Sequence, residues 1–178
     1  RNWRGSSDQS GLFAIAWDVT HLYIEVQVED DKHVQNQTGI NIFKGDSVDV
    51  LLDTDLEGDY YIASLDEDDY QIGLSPGDLL RGRAKAQAYM WYPRTSSGIM
   101  TEVQLGSQLY GAAGFHLEAA IPWSVLGVSP SSGMVLGFVL SSNDNDHDSA
   151  AIQQTMLSVE PSRKLTDPTT WGTLVLTN

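Results

Sequence analysis

Apolar residues fall at every second position through three stretches of this chain, and that period suits only a strand. Leu22, Ile24, Val26 and Val28 alternate with Tyr23, Glu25, Gln27 and Glu29. Val48, Val50 and Leu52 alternate with Ser47, Asp49, Leu51 and Asp53, and Phe115, Leu117, Ala119 and Ile121 with His116, Glu118 and Ala120. Successive strand side chains point to opposite faces, so each stretch puts one face in a core and one in water. Further strands are predicted near 12–18, 60–65, 69–74, 83–92, 100–106, 134–142, 154–159 and 171–177. Turn-forming residues separate them: Glu57-Gly58-Asp59, Ser75-Pro76-Gly77-Asp78, Ser96-Ser97-Gly98, Gly111 to Gly114 and Ser129 to Gly133. Only Pro122 to Leu126 reads as a helical turn, with proline at its first position. There is no repeat and no internal linker. The prediction is an all-β fold, a two-sheet antiparallel β-sandwich of jelly-roll or immunoglobulin-like type.

A chain of 178 residues suits one domain, 1–178, and buries roughly two thirds of its unfolded surface. No apolar run approaches the ~20 residues of a membrane span and no signal peptide is present. Arg1 reads as the start of a domain cut from a larger secreted or membrane-anchored protein, with neighbouring domains in the parent chain. Cysteine is absent, which removes disulfides and Cys-ligated zinc. The net charge of −14 repels nucleic acid and anionic membranes and suits neutral ligands and cations.

Three segments concentrate that charge: Asp53 to Asp59, Asp66 to Asp69, and Asn143 to Asp148. Oxygens at alternating positions around a glycine turn are how a loop wraps calcium, so Asp53, Asp55 and Asp59, with Asp144 and Asp146, are candidate ligands. No distal glutamate and no flanking helices make an EF-hand. The alternative is that these are solvated acidic loops. His21, His33, His116 and His147 show no metal-ligand spacing, and no Gly-x-Ser-x-Gly elbow is present. Paired carboxylates are unavoidable among 24 acids and identify no hydrolase. An enzyme is not predicted.

One series of motifs is more specific. Leu22-Tyr23-Ile24 leads to Val28-Glu29-Asp30, and Gly45-Asp46-Ser47-Val48-Asp49 follows. Glu118-Ala119-Ala120-Ile121-Pro122-Trp123, Gly137-Phe138 with Asn143-Asp144, and Asp167-Pro168 into Trp171-Gly172 complete it. In this order and spacing the chain resembles the family 9 carbohydrate-binding module over nearly its whole length. The resemblance implies an extracellular or periplasmic sandwich with structural calcium. It also implies noncatalytic binding of a polysaccharide or oligosaccharide that assists an attached glycan-degrading enzyme. The family's strand and Asp-Gly turn ahead of the residue matching Trp3 are missing here, and one acid of its calcium sites with them.

In that family two tryptophan rings clamp the sugar, because flat apolar rings match the C–H faces of a pyranose. The matching positions are Phe43 and Leu165. Its polar readers match Asp49, Gln71, Gly73, Ser141 and Ser162. Asp49 keeps a carboxylate, Gln71 replaces a cation, and Gly73 removes an amide. The inherited clamp is therefore expected to be largely lost. On the predicted strand 83–91, Ala84, Ala86, Ala88 and Met90 share one face, and Arg83, Lys85, Gln87, Tyr89 and Trp91 the other. Trp91 with Tyr89 and Gln87 thus makes a substitute outward platform for sugar, or Trp91 merely covers a loop. Trp17, Trp123 and Trp171 read as core. The altered clamp also suits a rival function, an extracellular ligand-sensing or protein-interaction domain on the same scaffold.

Overall fold

The computed structural model describes residues 3–178. Eleven strands run in chain order: β1 (Gln9–Trp17), β2 (His21–Asp30), β3 (Ser47–Asp53), β4 (Asp69–Ser75), β5 (Gln87–Tyr92), β6 (Gly98–Ile99), β7 (Gln104–Tyr110), β8 (Gly114–Pro122), β9 (Val135–Asp144), β10 (Thr155–Ser158) and β11 (Gly172–Val175). The smaller sheet has the order β1-β2-β8-β7. The larger has β10-β9-β3-β4-β5-β6, with β11 also on β9. All pairings are antiparallel, as the sequence predicts. β9 is long enough to hold two short partners end to end: β11 pairs its first half and β10 its second.

The core is the set of alternating residues turned between the sheets. Leu22, Ile24, Val26 and Val28 of β2 and Phe115, Leu117, Ala119 and Ile121 of β8 meet Val48, Val50 and Leu52 of β3, Ile72 and Leu74 of β4, and Leu136, Phe138 and Leu140 of β9. Removing this area from water is the main favourable contribution to the fold. Trp123 closes the core beneath the turn Trp123–Val125, donating its indole N–H to the Asp18 carbonyl at 2.9 Å. Pro122 is the last residue of β8, not the first of the turn. Trp17 packs at the margin of this core and donates to the Thr177 carbonyl.

The larger sheet is not wet on its far side. Leu51, Val139 and Trp171 form a second buried cluster on its outer face, with Leu65 packed against it. The segment 60–65, predicted as a strand, supplies that cover as irregular chain after a one-turn helix, α1 (Leu56–Asp59). Tyr61 is left 90% exposed, since no sheet edge receives the segment. β5 begins at Gln87 rather than 83. Asp78 accepts from the Arg81 backbone N–H and the Arg83 Nε–H, and the Asp78 N–H reaches the Ala84 carbonyl, so 78–84 curls before the strand starts. The predicted 100–106 strand forms later, at β7, after the two-residue β6. A 3-10 turn at Gly39–Lys44, unforeseen in the sequence, lies against β5 and β3 and carries Phe43.

Neighbouring residues of β8 test the alternation directly. Leu117→Ala, in the core, is expected to cost about 2–5 kcal/mol in urea unfolding. Glu118→Ala, on the wet face, should stay within about 0.5 kcal/mol. Equal costs would contradict the register.

Candidate functional site

A cleft of about 280 Å³ opens on the outer face of the larger sheet, near the small end of the range for ligand sites (about 300–1,000 Å³). Strand register builds its floor. Asp49 of β3 pairs with Gly73 of β4, which pairs with Tyr89 of β5, so all three share one face. Leu51 and Gln71 form the next row. Phe43 enters from the Gly39–Lys44 turn, and Leu165 from the segment ahead of β11.

Trp91 lines the same cleft. The ladder between β4 and β5 slips at this point: Ile72 faces Met90 while Gln71 faces Tyr92, which leaves Trp91 as the extra residue of a bulge. A bulge re-aims a side chain, and this one lays the indole across the sheet. A Cβ on Gly73 would lie 2.3 Å from Trp91 Cη2, so only glycine leaves room for the ring. The indole N–H donates to the Ile40 carbonyl at 3.0 Å. The Phe43 and Trp91 rings meet edge to face, with centroids 5.9 Å apart at 79°. Tyr89 leans on the other side of Trp91 at 5.8 Å.

These contacts correct the expectation of a separate platform. Trp91 faces outward as predicted, but it joins Phe43, Leu165, Asp49 and Gln71 in a single cleft instead of replacing it. Gln87 is a tether: its Oε1 accepts the Gly39 backbone N–H at 2.7 Å and ties the Phe43-bearing turn to β5. Sequence reasoning missed Met156 and Gln153 as lining residues, and Arg163 beside Asp49. Nothing in their spacing marked them, because Met156 is set by the pairing of β10 with β9, and Gln153 and Arg163 by the irregular chain on either side of that strand.

Most polar groups around the cleft are already engaged. Gln71 Nε2 donates to the Leu165 carbonyl, Gln153 Nε2 to Asn143 Oδ1, and Ser141 Oγ to Ser158 Oγ. Ser162 is bound to Glu160. Two atoms are shielded from solvent and have no partner: Asp49 Oδ1 and Arg163 Nε. Burial pushes the Asp49 carboxyl up to about 7, against the smaller opposing influence of Asn143 and Arg163. Burial holds the Arg163 guanidinium below its ordinary value, with Asp49 opposing. Asp49 lines the cleft and Arg163 lies against the lining residue Met156, so a ligand hydroxyl entering on this side would meet a carboxylate and a guanidinium.

The aspartates gather in four groups. Asp8, Asp31 and Asp146 are bridged by the Arg4 guanidinium at 2.7–3.1 Å, so protein already supplies a cation there. Asp30, Asp46 and Asp144 form a buried group beside it. Asp30 Oδ2 and Asp144 Oδ1 are buried without partners. Burial, then the Asp46 charge, raises Asp30; burial is also the first cause that pushes Asp144 up to about 7. The third and fourth groups share Asp59: it meets Asp53 and Asp68 on one side and Asp66 and Asp69 on the other. Asp59 Oδ2 and Asp69 Oδ1 are orphaned, and burial pushes Asp53 up to about 6 and Asp69 up to about 7. Among the described residues no lysine or arginine pairs with these five. Asp55 stands outside every group. Its carboxylate turns back toward Gly58, and the aspartates that gather with Asp53 and Asp59 are Asp66, Asp68 and Asp69. Asp46 also faces the buried His33 ring at 3.2 Å and accepts the Val34 and Asn145 backbone N–H groups, but carboxylate clusters that keep orphaned oxygens fit a hard divalent cation such as calcium.

The raised Asp49 carboxyl has a consequence for stability. Its folded value lies above the unfolded one, so the native state binds the extra proton between about pH 4 and 7. Stability from this group therefore falls as pH rises through that window. Asp49→Asn is expected to raise the melting temperature at pH 8 and to leave it nearly unchanged at pH 5. An equal shift at both values would show that the carboxylate is not strained by burial.

The model of the family described as carbohydrate family 9 binding domain-like matches residues 1–178. A comparison with curated proteins finds no significant match. Among solved structures, a family 9 carbohydrate-binding module from Caldicellulosiruptor kristjanssonii in complex with cellotriose is similar at a TM-score of 0.71 and 20% identity, over 99% of this chain and 80% of that one. The glucose complex gives 0.73 and 19%, over 98% and 80%. A candidate carbohydrate-binding protein from Bacteroides uniformis gives 0.64 and 14%, over 98% and 82%. At these identities the structures speak for the fold; with the family model spanning the whole sequence, the chain belongs to the carbohydrate family 9 binding domain-like family.

Proposed function

We propose that this domain is a noncatalytic carbohydrate-binding module whose cleft takes one sugar unit of a polysaccharide or oligosaccharide. The observation that carries the reading is the cleft itself: two aromatic walls, Trp91 and Phe43, above a carboxylate with an unpartnered oxygen. Apolar rings cover C–H faces, and a few placed polar atoms orient hydroxyls. Family membership and the sugar complexes of the two Caldicellulosiruptor structures support it. The reading implies action outside the cytoplasm, in the extracellular space or periplasm, beside a glycan-degrading enzyme. The rival reading, a sensing or interaction domain, draws support from the apolar lip: Ile40 is 58% and Ile99 61% exposed.

A glycan array followed by calorimetry separates the two. Trp91→Ala should weaken sugar binding by about 1–2 kcal/mol, from apolar area removed from water at ~25 cal/mol per Å² as an upper bound. Because Phe43 buttresses the same ring, Phe43→Ala should also weaken it. Absence of binding across the array would give the rival reading the lead.

Calcium belongs to the proposal as a structural ligand of Asp30, Asp46 and Asp144 and of the five aspartates around Asp59. Its charge would relieve the mutual repulsion of carboxylates that burial has brought together. At a hundredfold excess over its Kd each occupied site should stabilise by about 2.7 kcal/mol, which for a chain this long is about 5–10 °C in melting temperature per site. Identical melts with calcium and with chelator would remove this part of the proposal.

A further inference from the structure

The lining of the cleft is chemically lopsided. Its apolar lining is Phe43, Leu51, Trp91, Met156 and Leu165. Exposed apolar residues continue the same character around it: Leu165 is 48% exposed, Ile40 backs the Trp91 indole, and Ile99 pairs with Tyr89. Gln71 and Gln153 each spend one amide N–H on a protein acceptor, and Ser141 and Ser162 donate their hydroxyl protons to protein oxygens. What remains free and shielded is confined to one spot, Asp49 Oδ1 with Arg163 Nε. The Gly73 position makes the same exchange in a single step. No side chain stands there to meet a hydroxyl, because glycine admits the Trp91 ring and so turns that part of the floor into apolar wall.

A plain hexose carries a hydroxyl on almost every ring carbon. Such a ring can present one edge to Asp49 and Arg163, but apart from those near the spare amide groups of Gln71 and Gln153 its other hydroxyls then face carbon. Each loses water and gains no partner, which is unfavourable. A methyl or acetyl group in the same place would instead fill apolar space.

We infer that the cleft selects glycosyl units on which an apolar group replaces or caps a hydroxyl, as in deoxy, O-methyl or O-acetyl sugars. One hydroxyl-bearing edge is kept for Asp49 and Arg163. The inference rests on the reading of the cleft as a sugar site. It adds which sugars, and it names Trp91 and Leu165 as the residues that set the preference.

Matched pairs test it by calorimetry on the whole chain: D-glucose against 6-deoxy-D-glucose and 3-O-methyl-D-glucose, D-galactose against D-fucose, and glucose against its acetylated methyl glycosides. At least one capped partner is expected to bind about tenfold tighter than its parent, the low end for one methylene in an apolar pocket. Leu165→Gln places an amide at an exposed lip position, where the fold is not at risk, and should erase most of that ratio. Gly73→Ala, which evicts the Trp91 ring, should do the same where its melt shows it folded. If parents bind as tightly as every capped partner, the inference fails while the module reading stands. If no sugar binds, plain or capped, cello-oligosaccharides included, the module reading fails and takes the inference with it. A preference that survives unchanged in Leu165→Gln would also overturn the inference, because it would then arise elsewhere.

Discussion

Two neighbouring interior strands of the larger sheet, β3 and β9, are buried on both faces, and much else follows from covering the second one. β3 and β9 send Val50, Leu52, Leu136 and Leu140 into the inter-sheet core, and Leu51 and Val139 the opposite way. Water cannot be left against that outer row, so irregular chain must pack over it. Leu65 comes from one side and Trp171 from the other. Trp171 is fixed in turn by its indole N–H on the Lys164 carbonyl, one residue before Leu165. The cover stops short over Asp49 and Gln71, and the uncovered remainder is the cleft. The site is thus a consequence of how the sheet is capped, which explains why its walls come from three separate segments.

Within that cleft one steric fact organises the rest. Trp91 lies where a side chain on Gly73 would be, and the bulge in β5 supplies the direction. The ring then has three supports: the Ile40 carbonyl, the Phe43 edge and Tyr89. A side chain held by several partners loses less freedom when a ligand arrives, so less of the contact energy is spent on ordering it. Arg163 and Asp49 are arranged in the opposite way. Each influences the other's charge, yet no direct pair is formed and each keeps an unsatisfied atom. Such atoms are costly unless something completes them, which points to a polar ligand edge at that spot.

Period-two alternation made β2, β3 and β8 legible from the sequence, because each has one face in the core and its partners lie close in the sheet. The aspartate-rich segments were legible as charge but not as groups. Asp30, Asp46 and Asp144 are far apart in sequence and converge only when β2, β3 and β9 pack. Asp55 looked like a ligand by spacing, but α1 turns it away. The platform reading of Trp91 erred in a specific way. Alternation gave its face correctly, whereas a bulge, which no residue pattern announced, decided that it would share a cleft with Phe43. The 60–65 segment has strand-like composition and no edge to pair with, so tertiary context overrode its propensity.

The central claim is that ligand enters the cleft walled by Trp91 and Phe43 above Asp49. Titration of a glycan that binds the domain, followed by ¹H–¹⁵N correlation spectra, tests it most directly, since the five tryptophans report from different places. The account predicts that the Trp91 indole signal moves with saturation, together with backbone signals of Gly39 to Phe43 and Gly73, while the Trp17 and Trp123 indoles stay still. Shifts confined to the outer face of the smaller sheet, around Tyr23, Gln108 and His116, would contradict it.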